Sequence, residues 1–167
     1  MTSDLTAINL ISSLAISLIL HEIGHALAAY LCKVSVNQVG LGCGPKLAGI
    51  NIRGVDYQLR LLPIGGYIRM DMAGLQTRPL AQQLVVLLAG ICVNLFLGLI
   101  AWGSFFGTLN MALAFTNLLP VYQQDGWKTG IVIFRHVFGR ASATVEWSFT
   151  IVSALIGLAI FARAVTV

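Results

Sequence analysis

The clearest chemistry in this 167-residue chain is carried by five residues, His21-Glu22-Ile23-Gly24-His25. On a helix, His21 and His25 project their imidazoles from one face, one turn apart. Two ring nitrogens at that spacing can bind one Zn²⁺, and Glu22 beside them is placed to act as a general base. The surroundings sharpen the reading. Leu5 to Leu20 contains no charged residue, and Ala26 to Leu31 continues the apolar run. Two histidines and a glutamate at membrane depth are costly unless they meet a partner, water or a metal. Two satisfied core histidines beside a stray glutamate is the plainer alternative.

The elements that must position these residues are membrane spans. The composition is 57% hydrophobic and 10% charged, against about 25% charged in ordinary soluble domains, and the apolar residues come in blocks long enough to cross a bilayer. The expected fold is therefore a polytopic membrane protein of one domain, 1–167, all-α apart from one inserted sheet, with about four transmembrane helices. These are placed at about 5–31, 82–106, 109–124 and 143–163, with a tight turn at Gly107-Thr108 pairing the second and third as a hairpin. Between the first two, about 34–70, partial alternation punctuated by Gly42, Gly44-Pro45 and Gly54 predicts three or four short strands in a membrane-associated sheet. Its open edge could pair with an extended peptide. The N-terminus has no basic n-region and reads as an uncleaved first span.

Lys33, Lys46, Arg53, Arg60, Arg69 and Arg78 follow the first span, Lys128, Arg135 and Arg140 follow the third, and only Arg163 lies near the other side. The positive-inside rule then puts both termini outside, both basic segments in the cytoplasm, and the motif near the cytoplasmic side of a plasma (inner) membrane. The net charge of +4 is spread along loops, which argues against nucleic acid as a partner. Cys32, Cys43 and Cys92 form no C-x-x-C pair and read as free thiols.

Catalytic zinc usually takes three protein ligands and keeps one position for water. The candidates for the third are Asp4, Asp56, Asp71, Asp125, Glu146 and His136. At a rise of 1.5 Å per residue, His21 and Asp125 both fall about 26 Å along their spans, which favours Asp125; a helix-end role before Gly126 is the alternative. Asn94 and Asn117 are polar groups inside the second and third spans. Each either hydrogen-bonds a neighbouring helix or holds a substrate carbonyl or oxyanion.

With these motifs in hand, the chain resembles the site-2 protease family of intramembrane zinc metalloproteases over nearly its whole length. HEIGH matches the family's HExxH. NLLPVYQQDG, Asn117 through Gly126, matches its N-x-x-P-x-x-x-x-D-G. GLGCGP and PIGGYIRM look like the turn and G-G-Y element of its β region, and LAGICVNLFLG is similar to its second span. The resemblance implies one zinc per chain held by His21, His25 and Asp125, with Glu22 as base. It also implies a role for Asn117 and Asn94 near the substrate backbone, and a substrate-presenting element at Gly65, Gly66 and Tyr67. The implied activity is hydrolysis of peptide bonds in transmembrane segments of other membrane proteins, with the lipid bilayer as surroundings.

Two departures stand out. Tyr122-Gln123-Gln124 replaces the Pro and Leu that the family often has before Asp-Gly. The Gly107-Thr108 turn leaves no room for a PDZ domain between those spans, and no CBS-like tail follows the fourth, so a minimal core is expected. The rival readings are a non-catalytic zinc-binding membrane protein and a metal carrier; the first has no use for Glu22, and the second wants polar groups spread along a path through the bilayer.

Overall fold

The computed structural model describes residues 2–139 and 143–166, so Arg140 lies outside the described residues; within helix 1, the Asp4 side chain does too. Helix α1 (Thr2–Leu31) is followed by strands β1 (Val36–Ile52) and β2 (Val55–Met70). Helices α2 (Met72–Gln76), α3 (Leu80–Ile100), α4 (Phe105–Leu118), α5 (Asp125–Phe138) and α6 (Ala143–Thr166) complete the chain.

Two helices are long and apolar enough to cross a membrane, Ile8–Leu31 and Leu80–Ile100. Only 17% and 33% of these stretches are buried, which separates them from core helices of a water-soluble fold. Ile8, Ile11, Ile16, Ile23 and Leu27 of α1 and Val85, Phe96, Leu99 and Ile100 of α3 all face outward. An apolar belt of that extent suits lipid and is untenable in water. Among the described residues two helices thus meet the spanning criterion, where four were expected. Helix α4 has 14 residues, and the stretch of α6 whose side chains are described, Thr144–Ala159, is apolar but shorter than a span.

The boundaries around α4 differ from expectation for local reasons. Helix α3 stops at Ile100, and the turn lies at 101–104, where Gly103 has φ 81°. Ser104 then caps α4, its hydroxyl accepting from the Gly107 N–H at 3.0 Å. Gly107 therefore sits inside α4, not in the turn. The expected third span, 109–124, is broken: α4 ends at Leu118 ahead of Pro120, which cannot continue a helix without losing a hydrogen bond. Gln123 takes φ 77° before a new helix begins at Asp125. This helix, α5, is amphipathic and carries acid in its first turn and Arg135 and His136 in its last, as the helix dipole favours.

The expected three or four short strands are present as four paired arms, 36–41, 46–52, 55–60 and 66–70, carried by two continuous, bent strands. Gly42, Gly44 and Gly65 adopt φ of 89°, 87° and 78°, which lets each strand kink where a Cβ would force it to stop. Residues 36–41 are interior: Val39 pairs with both Ile68 and Tyr57, and Gly40 with both Tyr67 and Gln58. The 66–70 segment, in contrast, has strand partners on one side only. A core of Ala28, Ala29, Val34, Leu75, Val86, Leu87 and Val132 ties α1, α3 and α5 together beneath this sheet.

Candidate metal centre

Helix α1 brings His21 and His25 to its buried face, and α5 brings Asp125 to meet them. His25 Nε2 lies 3.0 Å from Asp125 Oδ2 and 3.2 Å from His21 Nε2, and His21 Nε2 lies 3.1 Å from the same oxygen. All three residues are buried. The other ring nitrogen of His25, Nδ1, donates to the Val86 carbonyl at 2.8 Å. That bond fixes the tautomer and leaves a lone pair on His25 Nε2. Lone pairs of two imidazoles and a carboxylate at 3.0–3.2 Å repel one another unless a proton or a cation lies among them. Bonds of about 2.0–2.1 Å to a tetrahedral zinc would space such atoms about 3.3 Å apart. Geometry and donor set both fit a divalent ion with a fourth position open.

Two residues that the sequence reading did not single out complete the arrangement. Gly90 of α3 faces both rings: a Cβ there would lie 2.6 Å from His21 Nε2, His21 Cε1 and His25 Nε2. Only glycine lets α3 pass this close. Lys128, one turn after Asp125, donates to Asp125 Oδ1 at 2.9 Å. It holds the outer oxygen and leaves Oδ2 to face the histidines. Lys128→Met keeps the alkyl stem and removes this bond. We expect metal affinity to fall about 10–100-fold, as for other outer-shell partners, with Lys128→Arg recovering most of it; competition titration against a chelator measures both.

The Asp-Gly pair has a steric reason as well. A Cβ at Gly126 would fall 2.1 Å from the Leu118 carbonyl oxygen, so the start of α5 can tuck under the end of α4 only without one. The other acidic candidates are engaged elsewhere. Asp71 caps α2, accepting from the Gly74 N–H; Asp56 accepts from Gln58; and Glu146 takes Arg135 through both oxygens. His136 is exposed. Cys32 and Cys92 are free, while the Cys43 side chain lies outside the described residues.

A cleft of about 360 Å³ opens beside the centre. Glu22, His25, Asp125 and Lys128 bound it on the helix side, and Tyr67 to Met70 of β2 on the other. The one-sided segment of the sheet is thus its wall. A hollow of about 390 Å³ on the sheet itself, around Val39, Ile50 and Tyr57, offers no acid, base or metal donor set. Gly66 runs next to Glu22, a Cβ there lying 3.8 Å from Glu22 Cγ. Tyr67 is anchored in the sheet: its hydroxyl bonds Gln58 and Arg60, and the guanidinium groups of Arg60 and Arg69 lie 4.9 and 5.7 Å from its ring centroid. Neither asparagine borders the cleft. Asn117 donates back to the Leu113 carbonyl at 3.0 Å, and Asn94 is fully buried with no hydrogen-bond partner.

A helical protein of membrane character with a buried two-histidine, one-aspartate cluster beside a glutamate is what the coordinates define. Residues 9–107 match Peptidase family M50; the chain belongs to that family, the site-2 proteases. Among curated proteins it is 35% identical over 95 residues to a "Putative zinc metalloprotease" of Clostridium acetobutylicum, covering 52% of this chain and 28% of that protein. It is 30% identical over 130 residues to one of the same description from Synechocystis, covering 71% and 34%. The "Membrane metalloprotease ARASP, chloroplastic" of Arabidopsis thaliana is 33% identical over 96 residues, covering 50% and 22%. The matched stretch is thus about a third or less of each relative's length.

Proposed function

We propose that this chain is the catalytic domain, 1–167, of an intramembrane zinc metalloprotease that hydrolyses peptide bonds within or near transmembrane segments of other membrane proteins. The observation that carries the reading is the position of Glu22, in one cleft with two metal-type ligands and a strand edge lacking a neighbour. His21, His25 and Asp125 would hold one zinc ion through Nε2, Nε2 and Oδ2. When bound, zinc supplies a Lewis acid that activates water and polarises the scissile carbonyl. Glu22 takes the proton of the attacking water and returns it to the departing amide nitrogen. Lys128 keeps Asp125 oriented throughout.

A transmembrane helix shields its peptide bonds, so the substrate must unwind before it can react. Pairing with the 66–70 edge satisfies the backbone groups that unwinding frees. Gly65 and Gly66 let that edge run close to Glu22, and Tyr67 stiffens it. Asn117, two residues ahead of Leu119 where the chain leaves α4, reaches a substrate backbone once it gives up its bond to Leu113.

In the membrane, α4 and α6 join α1 and α3 as four crossings, with both termini outside and the cleft toward the cytoplasm. Helix α4 rises only about 21 Å, short of the hydrocarbon thickness of about 30 Å. Residues 119–124 make up the difference as irregular backbone; most of them are exposed, so they belong at the cytoplasmic end where water can hydrogen-bond them.

The test is cleavage of a tagged single-span substrate by the purified protein in detergent, with zinc counted. We expect about one zinc per chain, loss of cleavage on chelation and recovery on adding zinc back. Cleavage that survives complete removal of metal overturns the mechanism. Stoichiometric zinc without cleavage of any single-span substrate would favour a metal-binding relative without protease activity.

A further inference from the structure

The buried stripe of α1 continues past the metal ligands. Ser17, one turn before His21, is fully buried, as are Asn94 of α3 and Asn110 of α4. Helices α1 and α3 meet in matched steps of four. Val86 takes His25 Nδ1 and Gly90 lies against both imidazoles, so the next step forward on α3, Asn94, comes level with the next step back on α1, Ser17. From the third side, Asn110 Nδ2 donates to Ser17 Oγ at 2.9 Å and to the Phe106 carbonyl at 2.9 Å, while Ser17 Oγ donates to the Ser13 carbonyl at 2.7 Å.

Four buried polar atoms of these asparagines and of His21, one helical turn on from Ser17, have no hydrogen-bond partner: Oδ1 and Nδ2 of Asn94, Oδ1 of Asn110, and Nδ1 of His21. Asn94 is therefore not a bond between helices, the ordinary use of an intramembrane asparagine. A fully buried carboxamide without a partner is expensive, and native interiors resolve such groups with protein or with ordered water. The chemistry of the leftovers is matched: an imidazole N–H and an amide N–H to give, and two carbonyl oxygens to receive. A single water accepting from His21 Nδ1–H and Asn94 Nδ2–H and donating to Asn110 Oδ1 would make three bonds, the usual number for a buried water.

We propose that Ser17, Asn94 and Asn110 enclose a structural water site beneath the metal centre, and that its water holds His21 through Nδ1 as the Val86 carbonyl holds His25. The inference rests on His21 being a metal ligand through Nε2. Asn94 and Asn110 are then positioning residues that act on the centre through water, removed from the cleft where substrate reacts.

The experiment is proton NMR of the whole protein loaded with Co²⁺, in which imidazole N–H protons of ligating histidines are shifted far from the protein envelope and disappear in D₂O as they exchange. Wild type should show two such resonances. In Asn94→Leu, which excludes the water, the His21 signal should vanish or move while the His25 signal stays, and Co²⁺ affinity should fall about 10–100-fold. Asn110→Leu removes an acceptor from a different helix and should move the same resonance, so the reading survives failure of either variant to fold. Tight Co²⁺ uptake with both resonances unmoved in a folded variant overturns the water site. A raised melting temperature in that variant would identify Asn94 as a plain unpaired amide. Wild type that takes up no Co²⁺ overturns the metal centre itself, and that result is visible before any variant is made.

Discussion

Glu22→Gln should abolish cleavage of a single-span substrate while the metal stays in place. Glu22 follows His21 directly and so points about 100° away around the helix; it stands outside the cluster of His21, His25 and Asp125 but borders the same cleft. Glutamine has the same shape and cannot accept the proton of attacking water. Loss of a positioned general base costs about 10²–10⁴-fold in rate. The loss should fall on kcat, with KM within a few-fold of wild type and zinc still near one per chain. Retained cleavage would remove Glu22 from the chemistry. Loss of zinc along with activity would make it part of the binding site instead.

Gly90→Ala should weaken metal binding without replacing a ligand. The added Cβ would press on both imidazoles at 2.6 Å, well inside van der Waals contact. His25 cannot turn away without losing the Val86 carbonyl, which sits on the same helix one turn earlier. Either the rings or the helix must move. Overpacking of this kind costs about 1–3 kcal/mol, and charged to metal binding that is about a ten- to hundredfold rise in Kd. Gly98→Ala is the control on the same helix. Its Cβ would meet mainly the Met111 side chain at 2.6 Å, a flexible neighbour, so thermal stability should fall while zinc affinity holds. Equal effects on metal binding in the two variants would refute a specific role for Gly90.

Much of this was legible in the residue string because it depends on short-range periodicity. HEIGH sets two imidazoles on one helical face by spacing alone, and Asp125 followed from chain rise along a second segment. That second argument reached the residue that the structure sets beside both histidines, over a path the structure does not follow. The helix ends at Leu118, and Asp125 arrives as the first residue of α5. Pro120 was a visible warning, but the positive φ of Gln123 is a conformation that nothing in its type announces. The turn was placed at Gly107-Thr108 because glycine marks turns. In the structure Gly103 and the Ser104 cap do that work, and Gly107 is spent on close contact with the Ala101 carbonyl. Gly90 lay in plain view within a small-residue pattern, yet its value is set by imidazoles more than sixty residues away. Lys128 was counted as a charge for orientation, and its bond to Asp125 is a tertiary fact. Long-range contacts of this sort are where sequence periodicity stops speaking.

If the chain is the protease proposed above, the arrival of Asp125 from a separate helix bears on when it could first cut a neighbour. His25 and Asp125 are 100 residues apart, so a chain emerging from the ribosome threads both histidines into the bilayer long before the carboxylate is made. Two imidazoles alone make a loose metal site, and the open coordination that hydrolysis needs is a property of three ligands held together. Until α5 docks beneath the end of α4, through a contact that only Gly126 permits, the half-built protein stands among other nascent membrane segments without a competent centre. On the proposed function, assembly order by itself would act as a safety catch, and the docking of α5 would release it.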